Sequence, residues 1–126
     1  MRRFVALGLI ALAALVAAVP ALASDGREII RTGSCSGATD WKLKVKHDDG
    51  RIETEFEVDQ NRNGERWRVV LKRDGTRFFR GIRVTHGPSG SFEVERRPRN
   101  HAGPDRITAR AVNLRTGEVC RAGATI

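Results

Sequence analysis

The sequence predicts an all-β protein, an antiparallel β-sandwich of seven to eight strands. Three observations carry that expectation. From residue 24 onward apolar side chains recur every second residue rather than every third or fourth, the period of a half-buried strand. Turn pairs Asp49-Gly50, Asn63-Gly64 and Asp74-Gly75 punctuate these runs, at a spacing that favours a sandwich or a small barrel. Cys35 and Cys120 stand near opposite ends of the chain, where a bond between them would tie first and last strands together.

The 126-residue chain opens differently from the rest. Arg2 and Arg3 precede an uninterrupted apolar run of 16 residues, Phe4 to Val19, followed by Pro20 and Ala21-Leu22-Ala23. A basic start, an apolar core and a small-residue exit are the layout of a secretory signal peptide. The run falls short of the ~20 residues of a spanning helix, so residues 1–23 read as a signal peptide and the mature chain as starting at Ser24, with no transmembrane span. Residues 24–126 then form a single domain. Losing Arg2 and Arg3 leaves 21 basic against 15 acidic residues, a net charge of +6. The destination is secreted, extracellular or at the cell envelope. In that oxidising compartment an even cysteine pair without metal-type spacing reads as a structural disulfide.

The strands follow in order. An early one lies near Glu28–Cys35. Trp41–His47 alternates apolar residues with Lys, and Arg51–Val58 alternates Glu with mostly apolar residues. With Asp49-Gly50 as a two-residue loop, Lys42, Lys44 and Lys46 face Glu57, Glu55 and Glu53, while Trp41 and Leu43 face Val58 and Phe56. Opposite charges across strands contribute only ~0.2–1 kcal/mol each, yet together they select this register. Treating Asn63-Gly64 likewise sets Val58 against Val69, Phe56 against Leu71, Asp59 against Arg68 and Glu55 against Lys72, a three-stranded meander with one buried face. After Asp74-Gly75, Arg77–Val84 breaks alternation at Phe78-Phe79, and Gly81 signals a bulge or bend. Ser91–Arg96, Arg106–Asn113 and Glu118–Ala122 complete the set. Trp41, Phe56, Trp67 and Leu71 are the expected core.

For chemistry the inventory is short. Asp59, Asn61, Asn63 and Gly64 match the first half of a calcium-binding loop, but Val70 stands where the final Glu belongs. A polar hairpin tip accounts for the same residues, and calcium stays the weaker alternative. Arg96, Arg97, Arg99 and His101, in a stretch without acids, are the candidate anion-binding patch. The remaining arginines are expected to face water or to pair with Glu53, Glu55, Glu57, Glu65, Glu93 and Glu95. Three histidines, a bonded cysteine pair and no G-x-S-x-G leave few routes to a nucleophile–base pair; His86 and Ser89 sit close together, but in a Gly/Pro/Ser run that is turn chemistry first. No enzyme, cofactor or metal centre is expected, and export argues against nucleic acid.

Gly33–Gly37 with Trp41–Lys44, Phe56–Gly64 with Trp67, Gly90–Val94, Asp105–Ala111 and Thr116–Cys120 together resemble the short secreted actinobacterial proteins of uncharacterised function with an immunoglobulin-like β-sandwich. The resemblance runs from about Gly33 to Ala122. It implies fold and export and brings no activity, cofactor or catalytic residue. The cysteines depart from an antibody-type domain, whose disulfide bridges the middle of the core. The expected function is a binding or interaction module for an anionic polymer or protein partner. A purely structural envelope protein and a calcium-stabilised adhesin-like domain are the alternatives.

Overall fold

The computed structural model describes residues 26–126; the signal peptide read at 1–23 lies outside them. Eight strands succeed one another: β1 (Glu28–Ser34), β2 (Asp40–Asp48), β3 (Arg51–Asp59), β4 (Arg66–Arg73), β5 (Thr76–Val84), β6 (Ser91–Arg96), β7 (Arg106–Asn113) and β8 (Val119–Thr125). They form two four-stranded sheets, ordered β1-β2-β3-β6 (sheet A) and β5-β4-β7-β8 (sheet B), with every pairing antiparallel. The all-β sandwich is thus the observed fold.

The first hairpin has the register its charges select: Lys42↔Glu57, Lys44↔Glu55, Lys46↔Glu53, with Leu43↔Phe56 on the inner side. Asp49 and Gly50 both adopt positive φ (49° and 73°), as the turn that matches strand twist requires. In the Asp74-Gly75 hairpin Arg77 pairs with Lys72 but Phe79 with Leu71. Phe78 is the extra residue of a bulge, which lets both phenylalanines pack against the core.

The expected meander through β4 is wrong. β3 pairs with β2 and β6, and β4 with β5 and β7, so Val58–Val69, Phe56–Leu71, Asp59–Arg68 and Glu55–Lys72 are not strand partners. Residues 60–65 do not make a two-residue turn. They cross from sheet A to sheet B, beside the 85–90 segment that crosses back. The two arches bond to each other: Gln60 N to Gly90 O (3.1 Å), Gly64 N to Thr85 O (2.7 Å) and Thr85 N to Glu65 O (2.9 Å). An inward-facing alternation is equally satisfied by pairing within one sheet or by facing across the core, so it does not choose between them.

Trp67, Phe56, Leu43, Ile52, Leu71 and Ile107 are fully buried between the sheets. Trp41 is only half-buried, at the margin of the core. Its indole lies over Gly33, where a Cβ would come within 2.6 Å of the ring. Inward positions of β7 and β8 are mostly small (Ala109, Ala111, Ala122, Ala124), which lets the sheets approach at that side. There Cys35, just past β1, bonds to Cys120 in β8, with Cα atoms 4.2 Å apart. The terminal strands are therefore edges of opposite sheets, and the disulfide ties sheet to sheet. The other open side, between β5 and β6, is filled by Phe79, whose ring centroid lies 4.9 Å from the Arg83 guanidinium carbon and 4.4 Å from that of Arg96.

Candidate functional site

Because inward positions are apolar, each sheet turns its alternate, polar residues outward, and the two outer faces carry opposite charge. The strands of sheet A hold nine carboxylates against six basic residues; those of sheet B hold ten basic residues and no Asp or Glu. On sheet A the lysines of β2 offset the glutamates of β3, with Lys44 Nζ 3.1 Å from Glu55 Oε2. That contact raises the Lys44 pKa, chiefly through the Glu55 hydrogen bond. On the far side of β3, Glu55 faces Glu95 and Glu57 faces Glu93. The Glu93 pKa is raised, first by burial and then by repulsion from Glu55, Glu57 and Glu95. Glu53, Glu55 and Glu95 come close enough together to share a cation, but Lys44 already occupies Glu55.

Sheet B presents Arg66, Arg68 and Lys72 from β4, flanked by Arg77 and Arg80 from β5 and by Arg110 and Arg121 from β7 and β8. Arg110 stands directly opposite Arg121, and Val70 faces Arg80 on one side and Arg110 on the other. Among the described residues none of these side chains forms an ion pair. Like charges placed opposite one another destabilise a sheet. A face that keeps them unpaired holds its positive potential available to a ligand. Val70, Lys72, Thr108, Arg110 and Arg121 border a shallow depression of about 430 Å³ at its centre.

These arginines face water, the first of the two outcomes expected of them; Glu53, Glu55, Glu57, Glu93 and Glu95, the partners named for the second, lie on the outer face of the opposite sheet. Among the described residues, Glu65 is the one glutamate that forms an ion pair with arginine. It is buried, it accepts hydrogen bonds from Arg115 Nε at 2.9 and 3.0 Å and from the second Arg115 nitrogen, and it forms an ion pair with Arg62 Nε at 3.3 Å. The Arg115 hydrogen bonds hold its carboxyl below the usual range against the opposing effect of burial.

The residues singled out in the sequence have separate neighbours. Arg96 stacks on Phe79, Arg97 pairs with Asp48, and the Arg99 backbone bridges Arg51 and accepts from Arg73. His101 stands with Asp74 and Asp105. In the 59–65 loop, Asp59 Oδ1 accepts the Asn61 amide at 3.2 Å, Asn61 adopts φ 56°, and the Asn63 amide abuts Gly87. Gln60 Oε1 accepts Trp67 Nε1 at 3.0 Å. These contacts build the arch.

The sequence places the anion-binding patch at Arg96–His101 and leaves the arginines of β4 and β5 to face water or pair, whereas the structure gathers them with Arg110 and Arg121 on the outer face of sheet B. Its signal, Arg or Lys at outward positions with no interleaved acid, is visible along β4 and β7. It acquires meaning only when β4, β5, β7 and β8 are known to share a sheet. No protein-family model, curated protein or solved structure matches the chain.

Proposed function

We propose that this chain is a secreted, non-catalytic binding domain of the cell envelope or extracellular space, and that it holds an anionic polymer on the outer face of sheet B. The observation that carries the reading is the segregation of charge, with ten basic residues and no acid in the four strands of that sheet. A guanidinium offers a planar fork of donors to phosphate, sulfate or carboxylate, and a sheet repeats such forks at regular intervals. A polymer with regularly spaced anions would engage several at once. The disulfide accords with export, as does the resemblance to short secreted actinobacterial proteins with an immunoglobulin-like sandwich. Among the described residues no helix is long and apolar enough to cross a membrane.

The test is binding of the oxidised protein to heparin, polyphosphate and anionic vesicles across a salt series. Arg68, Arg110 and Arg121 replaced together by Ala should weaken binding to the preferred polymer on the order of a hundredfold, at about 1 kcal/mol per charge, and flatten its salt dependence. Replacing Arg96, Arg97 and Arg99 together should have the smaller effect. The reverse ranking would move the site to the 96–101 segment, and unchanged binding in both variants would reject an arginine-borne site.

A further inference from the structure

A group of side chains that takes no part in the basic face lies at the end of the sandwich where the β4–β5 turn meets the start of β7. Asp74, His101 and Asp105 each offer one ligand atom there, all within 4.8 Å of one another. The backbones of the two aspartates are fixed by hydrogen bonds. Asp74 N donates to Arg106 O and Arg106 N to Asp74 Oδ1, both at 2.8 Å. Asp105 exchanges main-chain hydrogen bonds with Ile126 (2.8 and 3.0 Å). Two carboxylates are thus delivered from neighbouring strands, and the β6–β7 loop brings an exposed imidazole over them.

Proximity alone would carry little, since exposed carboxylates cluster often. The deciding feature is Asp105, which has no exposed surface and neither of whose carboxylate oxygens has a hydrogen-bond partner among the described residues. A buried carboxylate without donors is costly to the fold, and such groups are normally paired or bound to metal. Among the described residues no basic side chain forms an ion pair with it. Arg73, one residue before Asp74, donates instead to the Arg99 carbonyl.

We propose that Asp74, His101 and Asp105 bind a divalent transition-metal ion, for which Zn²⁺ is the probe. Two carboxylates supply the charge to balance a dication, and the imidazole favours a borderline ion over Ca²⁺, whose sites are built of oxygen. Three protein ligands leave room for water to complete the coordination. Bound metal would clamp the β6–β7 loop to the β4–β5 turn and give Asp105 the partner it lacks. The site shares no residue with the arginine face, so either can fail without the other.

The experiment is calorimetric titration of the chelator-treated full chain with Zn²⁺, with the imidazole resonances of the three histidines followed by NMR. One Zn²⁺ per chain should bind saturably, and the His101 ring signals should move while those of His86 do not. Asp105→Asn, which preserves shape, and His101→Ala, at an exposed loop position, should each weaken binding by at least about tenfold. Loss of a group that merely supports a ligand already costs that much. If Asp105→Asn does not fold, His101→Ala decides. Absence of saturable binding, or an affinity unchanged by His101→Ala, would overturn the site.

Discussion

Glu65 sits at the foot of the arch from β3 to β4, buried and gripped by Arg115 from the β7–β8 connection. Because the arginine lowers its pKa, the folded state binds that proton less tightly than the unfolded chain. The stability it contributes is therefore fully present above the ordinary value of 4.5 and is lost as the pH falls through the lower folded value. Glu93 has the opposite sign. Its raised pKa favours the fold at low pH and loses that advantage as the pH rises from 4.5 through the raised value. Denaturant melts at neutral pH and over a series of acid pH values descending from 4.5 should separate the two. Glu65→Gln should be less stable than the parent at neutral pH and close to it in acid. Glu93→Gln should be more stable at neutral pH by a few tenths of a kcal/mol, as expected on removing a like-charge cross-strand contact, with no gain in acid. Equal pH slopes in all three proteins would show that neither environment matters to folding.

Among the elements, the paired arches 60–65 and 85–90 distinguish this sandwich from the meander its turns advertise. Gly90 is their point of closest approach. Its φ is +67°, and a Cβ there would collide with the Arg62 amide nitrogen and the Asn61 backbone. Gly75, in the β4–β5 turn, has φ +81° and nothing within 4 Å. Gly75→Ala should cost only left-handed strain, roughly 1–2 kcal/mol. Gly90→Ala carries the same strain and must also force the arches apart, so its loss in denaturant midpoint should be clearly larger. Equal losses would mean that the arches separate freely. The contrast is conformational in origin: an Asp-Gly hairpin turn points into solvent, whereas a crossing between sheets packs backbone on backbone.

For the molecule as a whole, the two open sides of the sandwich are closed by different means. Phe79 with its two guanidinium neighbours fills one side, and the Cys35–Cys120 bond crosses the other. The bond spans 85 residues of sequence, and closing a loop of that size stabilises the fold by roughly 4–5 kcal/mol on the chain-entropy argument. That is a large share of the ~5–15 kcal/mol that a domain commonly possesses. Reduction should therefore lower the denaturant midpoint by a large fraction of its value, measured by circular dichroism with and without reductant. An unchanged melt would show that the two sheets hold together by packing alone.

Local information was enough for much of this. Strand positions, the Lys–Glu register of β2 with β3 and the burial of Trp67 follow from alternation and turn chemistry, which act between residues near in sequence. The bulge that Gly81 signals lies instead at Phe78, where alternation breaks, and Gly81 pairs in regular register with Val69. The disulfide follows from there being only two cysteines. Which sheet each strand joins was not legible, because alternation specifies an inward face without naming the strand beside it. Both candidate sites depend on that choice. The arginine face exists because β4, β5, β7 and β8 lie together, and Asp74, His101 and Asp105 meet because β4 pairs with β7. Tertiary structure alone decided where the charges gather, since charge is summed over neighbours in space and those neighbours are distant in sequence.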